Sequence, residues 1–319
     1  MQLVSLAINP VPSGAVTGTF PGYDGAPLRF ARWEATRLPH RGTACLFPGR
    51  GEFIEKYFEA VAELRRRGFG VAIHDWRGQG GSVRLLSDRS RGHIGSFSAY
   101  DRDLVRFMRD QVLPDCPPPY IAIAHSMGGN ILLRHAVEPG SWFERLVLCA
   151  PMIEIAPQRL KAPPAFARAY AEVTSAVGLS GTYARGGSPA PVEMLPFEGN
   201  LLTSDRERYE RNKAILTVAP ELGLGSPTKG WLRAALRSCA ALAVTDYPER
   251  VKIPALVFSA SDDDIVSVAG IERFTAGLKV GTHIAMPGAR HEILQETDDV
   301  RRRFWSAFDA YLGVDQVAA

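Results

Sequence analysis

The chain has 319 residues, 46% hydrophobic and 22% charged, which excludes a disordered chain built on low hydrophobicity and high net charge. That length suits one large domain, or a core with an insertion, and it buries enough surface to need no disulfide staple. Lys and Arg number 37 against 34 Asp and Glu, a net charge of +3 that is too small a surplus for nucleic-acid binding.

At the N-terminus a short apolar run is interrupted by Pro10 and Pro12 and lacks a basic segment before it, so no secretory signal is expected. Nowhere does the chain hold the run of about 20 apolar residues that a membrane span requires. Residues 18–20 and 28–33, separated by the turn-like Gly22-Tyr23-Asp24-Gly25, read as an antiparallel hairpin at a sheet edge. Apolar runs at 44–47, 71–74, 120–124, 146–149, 255–258 and 282–286 are continuous rather than alternating. Strands of a parallel sheet covered on both faces read that way. Helical spacing links Ile54, Tyr57, Phe58, Val61 and Leu64, then Tyr100, Leu104, Phe107 and Met108, then Ile131, Leu132 and His135, and last Phe304, Phe308 and Tyr311. This alternation predicts an α/β fold with a mostly parallel central sheet and helices on both faces.

Residues 152–245 break the rhythm. They hold no strong strand run, but two apolar stripes at helical spacing: Phe166, Tyr170, Val173 and Val177, and Leu232, Leu236, Cys239 and Leu242. The expected organisation is a core in two parts, 1–151 and 246–319, with a helical lid inserted at 152–245. Arg65-Arg66-Arg67 and Arg301-Arg302-Arg303 are too short for a basic tail and read as solvated helix faces. Cys45, Cys116, Cys149 and Cys239 form no C-x-x-C pair and no metal-ligand spacing. Cys45 and Cys149 lie in strand runs and should be buried thiols. The expectation is a cytoplasmic protein without metal or cofactor, with peripheral membrane contact left open.

The most informative segment is Ala124-His125-Ser126-Met127-Gly128-Gly129, which follows a strand directly and precedes a helix. A nucleophile elbow requires that context: the sharp turn pushes the serine hydroxyl out of the sheet. The N–H groups that open the helix then face developing negative charge. Ala124 departs from G-x-S-x-G by one methyl group. A base must follow the serine and a later acid. Among His40, His74, His93, His125, His135, His283 and His291, only the last two come late enough. His283 lies inside a strand run. His291 lies beyond its end, where α/β sheets place their sites, and is the candidate base. His74 and His93 read as structural, and His125 as shaping the elbow. For the orienting acid, Asp262, Asp263 and Asp264 stand side by side, and spacing does not choose among them. Backbone donors for an oxyanion are Met127, after the nucleophile, and Arg50, in the loop Phe47-Pro48-Gly49-Arg50-Gly51-Glu52. Gly78-Gln79-Gly80-Gly81-Ser82 fits neither phosphate-loop pattern and reads as tight packing beside the site.

Four stretches together carry a resemblance: Gly49-Arg50-Gly51-Glu52 through Lys56-Tyr57; Asp75-Trp76-Arg77-Gly78-Gln79-Gly80; His125-Ser126-Met127-Gly128-Gly129; and Gly288-Ala289-Arg290-His291-Glu292. With these the chain resembles the α/β-hydrolase superfamily, and within it the monoacylglycerol lipase and lysophospholipase branch, also grouped as serine aminopeptidase-like hydrolases. Asn200-Leu201-Leu202-Thr203-Ser204 and Gly225-Ser226-Pro227-Thr228 further resemble the bacterial lysophospholipase subgroup. The resemblance implies a Ser126-His291-Asp263 triad, since Ile265-Val266 sets the register of the family's acid. It also implies an acyl-enzyme and fatty-acyl ester substrates, lysophospholipids or monoacylglycerols. Pro48 stands where members usually carry His, and Ala124 where they carry Gly. The lid stripes then either line an acyl-chain pocket or pack the lid helices. Arg77, Arg84, Arg89 and Arg91 either meet a phosphate head group or form a solvated basic loop. Rival readings are an aminopeptidase-like or small-ester hydrolase on the same triad, and a non-catalytic ligand-binding protein. The sequence mark of the latter, a missing triad member, is not present.

Overall fold

The computed structural model describes residues 2–160 and 162–314. The hairpin forms β1 (Val16–Pro21) and β2 (Pro27–Trp33), paired antiparallel. β3 (Thr43–Phe47), β4 (Gly70–His74), β5 (Tyr120–His125), β6 (Phe143–Cys149), β7 (Ala255–Ala260) and β8 (Gly281–Met286) follow. All join one sheet in the order β1-β2-β4-β3-β5-β6-β7-β8. From β4 to β8 every neighbouring pair is parallel. β3, β4, β5 and β7 are buried along their length, as continuous apolar runs require. β8 corrects that reading: it is an edge strand and mostly open to solvent. Its His283 faces β7, with Nε2 2.8 Å from Ser259 Oγ.

The helices of the core are α1 (Phe58–Arg66), α2 (Ser98–Phe107) and α3 (Met127–His135). Between β6 and β7 come α4 (Pro157–Leu160), α5 (Pro164–Ala176), α6 (Arg206–Val218), α7 (Lys229–Leu242) and α8 (Tyr247–Arg250). The core closes with α9 (Val268–Ala276) and α10 (Asp298–Leu312). α7 joins the main core through Trp231, Ala234, Ala235, Cys239 and Leu242. α5 rests on it through the small Ala167 and Ala171, which pack against Leu236. The large residues of α5 turn away: Phe166, Val173 and Val177 are 63%, 61% and 65% exposed. Alanines make the contact with α7, and of the stripe only the half-buried Tyr170 stays near that helix, with Lys229 Nζ 5.9 Å from its ring centre. No helix among the described residues is long and apolar enough to cross a membrane.

The two arginine runs are also corrected. Only part of each is solvated; Arg65, Arg67 and Arg301 are buried. Arg65 donates to the Glu34 carbonyl at 2.6 Å. Arg67 pairs with Asp309 at 2.6 Å and lies 4.3 Å over the Trp305 ring, while Arg301 pairs with Glu59. A backbone carbonyl draws the Arg65 head inward and carboxylates draw those of Arg67 and Arg301, and only Arg66, Arg302 and Arg303 remain on the open face.

Candidate active site

β5 ends at His125 and α3 begins at Met127, so the whole change of direction falls on Ser126, at φ 49° and ψ −112°. A non-glycine residue held there stores about 1–3 kcal/mol of strain. Neighbouring backbone sustains it. Ser126 N–H donates to the Cys149 carbonyl at 3.0 Å, and its own carbonyl accepts from Met152 N–H at 2.9 Å and Asn130 N–H at 3.2 Å. The approach of β3 explains the glycine two places on, since a Cβ at Gly128 would lie 2.2 Å from the Phe47 carbonyl oxygen. At Ala124 the extra methyl is buried in the main core, so the departure from glycine is accommodated there.

His291 sits in the loop after β8, and its Nδ1–H donates to Asp263 Oδ2 at 2.7 Å. Asp263 Oδ1 accepts from the N–H groups of Ile265 (2.8 Å) and Val266 (3.0 Å). Burial alone would raise the carboxyl's pKa, but the His291 ring and the two backbone donors outweigh it and hold the group below its ordinary value. Asp262 and Asp264 are exposed, and Asp264 accepts instead from Gln158 Nε2 at 3.0 Å. Of the three adjacent aspartates, only Asp263 meets the candidate base. The elbow and the His291 loop touch: the His125 ring lies 4.6 Å from the His291 ring, centroid to centroid.

The loop after β3 carries the other candidate donor. Gly49 N–H donates to Glu52, and Gly51 N–H to Gln79 Oε1 at 3.2 Å; the N–H of Arg50 lies between these two engaged groups. Gln79 Nε2 donates to the carbonyls of Gly49 (2.7 Å) and Glu52 (3.0 Å), and Trp76 Nε1 to that of Pro48 (2.8 Å). The loop is thus clamped from β4's exit. A side chain at Gly80 (φ 54°) would strike the Asp75 carboxylate at 2.3 Å, so the 78–82 segment is indeed tightly packed beside the site. The clamp by Gln79 is not visible in composition or spacing; its only signal is the Asp75-to-Gly80 stretch. Arg50 sends its guanidinium to the segment between β6 and β7, donating to the Gly225 carbonyl at 2.7 Å, 5.1 Å over the Trp231 ring. Burial brings its pKa down to about 10.

Beneath this loop lies a buried charge cluster that sequence reasoning did not assemble. Lys56 Nζ is 2.7 Å from Glu292, 3.1 Å from Glu193 and 3.7 Å from Glu52. Glu193 lies in the segment between β6 and β7 and Glu292 adjoins His291, so one ammonium ties that segment to the His291 loop. Burial, together with Glu52 and Glu193, raises the pKa of Glu292 against the pull of Lys56. Burial opposes ionisation of Glu52 as well, but His125, Lys56 and Tyr57 outweigh it and lower its pKa. The proposed head-group arginines are largely committed elsewhere. Arg77 is buried against Asp103 (2.5 Å) and Asp24 (2.9 Å), and Arg84 donates to the Glu221 and Gly223 carbonyls between β6 and β7. Arg91 pairs with Asp88 at 2.9 Å, which leaves Arg89 as the exposed member.

The family described as serine aminopeptidase, S33 (Hydrolase_4) matches residues 39–298. The chain belongs to that family. This S33-family chain is an ester hydrolase on the α/β-hydrolase fold. It is 34% identical to Lysophospholipase L2 of Escherichia coli over 294 residues, 88% of this chain and 83% of that protein. A shorter stretch of 136 residues, 42% of this chain and 43% of the relative, is 29% identical to Monoglyceride lipase of Rattus norvegicus. Among solved structures, a soluble variant of monoglyceride lipase from Saccharomyces cerevisiae, in complex with a substrate analog, superposes with a TM-score of 0.74 at 20% identity. That match covers 97% of this chain and 98% of the yeast one and concerns the fold.

Proposed function

We propose that this S33-family hydrolase cleaves the carboxylic ester of a fatty-acyl lipid, a lysophospholipid or monoacylglycerol, through Ser126, His291 and Asp263. The observation that carries the reading is the buried 2.7 Å His291–Asp263 pair, whose imidazole lies 4.6 Å from the ring of His125, the residue before the strained turn at Ser126. Ser126 Oγ attacks the ester carbonyl and its proton passes to His291 Nε2. Asp263 holds Nδ1 protonated and stabilises the imidazolium. The N–H groups of Arg50 and Met127 receive the oxyanion; one such donor is worth about 2.7–4 kcal/mol in the transition state. His291 returns the proton to the leaving alcohol. Water, activated by the same base, then releases the fatty acid and restores the serine.

Residues 152–245 serve as the lid. Its fastening by Arg50 to Gly225 and by Lys56 to Glu193 supports that role. Its exposed stripe on α5 is the surface we assign to peripheral contact with aggregated lipid. The similarity to Lysophospholipase L2 supports the substrate class, while the family's description favours a second reading, release of an N-terminal amino acid. A panel of lysophospholipids, monoacylglycerols, short esters and aminoacyl amides decides between them. We expect the lipid esters to turn over fastest, and Ser126→Ala to lower their kcat by about 10⁴–10⁶-fold. Faster turnover of the amides would overturn the substrate class, and a loss under tenfold in Ser126→Ala would remove the serine from the mechanism.

A further inference from the structure

The triad leaves a second histidine and a second carboxylate unused, both buried and both in contact with the reacting apparatus. His125 closes β5 next to the nucleophile. Its Nδ1 lies 3.1 Å from Glu52 Oε1, and its Nε2 lies 3.0 Å from the backbone carbonyl oxygen of His291. One ring nitrogen is thus hydrogen-bonded to the His291 carbonyl and the other stands at ion-pair distance from a carboxylate, without an aligned hydrogen bond, a setting that suits the doubly protonated ring. Glu52 is equally committed. Its second oxygen accepts from Tyr57 Oη at 2.6 Å and from Gly49 N–H, the residue before Arg50. The space between them is filled: a Cβ on Gly49 would lie 2.8 Å from His125 Nδ1 and 3.0 Å from Glu52 Oε2.

We propose that Glu52 and His125 are positioning residues: one buried carboxylate holds the loop bearing the Arg50 N–H and, through the His125 ring, the backbone of the base His291. The inference rests on the triad reading above and deepens it. The two parts that must meet one carbonyl, a donor for its oxygen and a base for the attacking hydroxyl, come from opposite ends of the chain. Registration to a shared group fixes their separation independently of either loop. Displacement of a reacting group by about 1 Å can cost on the order of 100-fold in rate.

Two isosteric replacements separate the links. In His125→Asn the amide nitrogen takes the place of Nδ1 and keeps a polar contact with Glu52, but nothing reaches the His291 carbonyl. In His125→Gln the amide nitrogen takes the place of Nε2 and keeps the link to His291. Purified full-length variants are compared with wild type and Ser126→Ala on a soluble short-chain ester, with kcat and KM measured separately. We expect His125→Asn to lose about 10–100-fold in kcat with KM changed by less than about threefold, and His125→Gln to recover most of that loss. A purely structural role would move both variants together with their thermal midpoints. Wild-type kcat in His125→Asn, or a kcat in His125→Gln no higher than in His125→Asn, overturns the proposal. If Ser126→Ala remains active, the triad reading itself fails. If Ser126→Ala is inactive and His125→Asn is not impaired, only the positioning role fails.

Discussion

At the scale of single residues, the three consecutive aspartates give the sharpest contrast. Asp263 is buried and bonded to His291, whereas its neighbours on both sides are exposed. Asp263→Asn should lower kcat by about 10³–10⁴-fold, because the amide cannot hold the required imidazole tautomer. Asp262→Asn and Asp264→Asn should stay within about twofold of wild type, since neither side chain meets the base; steady-state kinetics on one short ester compares all three. The acid's position is legible from the sequence only through the register of Ile265-Val266. Spacing leaves the choice open because it does not record that the N–H groups of those same two residues turn one carboxylate inward. Another residue-scale contrast lies in the core. His74 is fully buried among Phe20, Phe47, Trp76 and Phe107, and its nitrogens make no hydrogen bond. Burial lowers its pKa to about 3. The native ring stays neutral while the unfolded ring protonates below about 6.5, so its stability contribution falls as pH drops through that value. His74→Leu should gain stability relative to wild type, by more at pH 5 than at pH 8, as chemical denaturation at both pH values will read.

At the scale of elements, strands and the strand-to-helix turn at Ser126 are legible because their signals are local: an apolar run, then a serine among small residues. The exceptions have local causes too. α6 is dense in charge and has little apolar periodicity; its start is fixed by Asp205, which accepts from Arg208 N–H at 2.9 Å. α5 shows the expected stripe, but helical spacing does not say which face meets the protein, and two alanines claim that role. Replacing Phe166 and Val173 by serine should slow turnover of micellar or vesicle-borne substrate several-fold and leave a soluble short-chain ester unchanged. Equal rates on both substrate forms would remove α5 from lipid contact. The fastening of the segment between β6 and β7 can be tested at Lys56. Lys56→Met leaves three buried carboxylates without their ammonium, and should cost about 3–5 kcal/mol in a denaturant titration.

At the scale of the whole molecule, the segment between β6 and β7 is joined to the rest by ionic links as well as by the packing of α7. Glu59 on α1 binds Arg208 (2.7 Å) and Arg211 (2.9 Å) of α6, and also Arg301 of α10. Burial raises its pKa, but the three guanidinium groups outweigh it and bring it to about 2, from an ordinary 4.5. Its contribution is therefore complete above pH 4.5 and fades as pH falls toward 2. Glu59→Gln should lower the thermal midpoint by a few degrees at pH 7, and the gap should close near pH 2. Such long-range pairings are not legible in the sequence, where Arg301 reads as part of a solvated run and nothing singles out Glu59. The topology brings them together, as it brings Glu52 to His125 and Asp263 to His291. The nucleophile's identity is tested most directly by labelling the protein with a fluorophosphonate and locating the adduct by peptide mass spectrometry. We predict one adduct, on Ser126, formed far more slowly in His291→Ala; no adduct, an adduct elsewhere, or equal rates in the two proteins would contradict it.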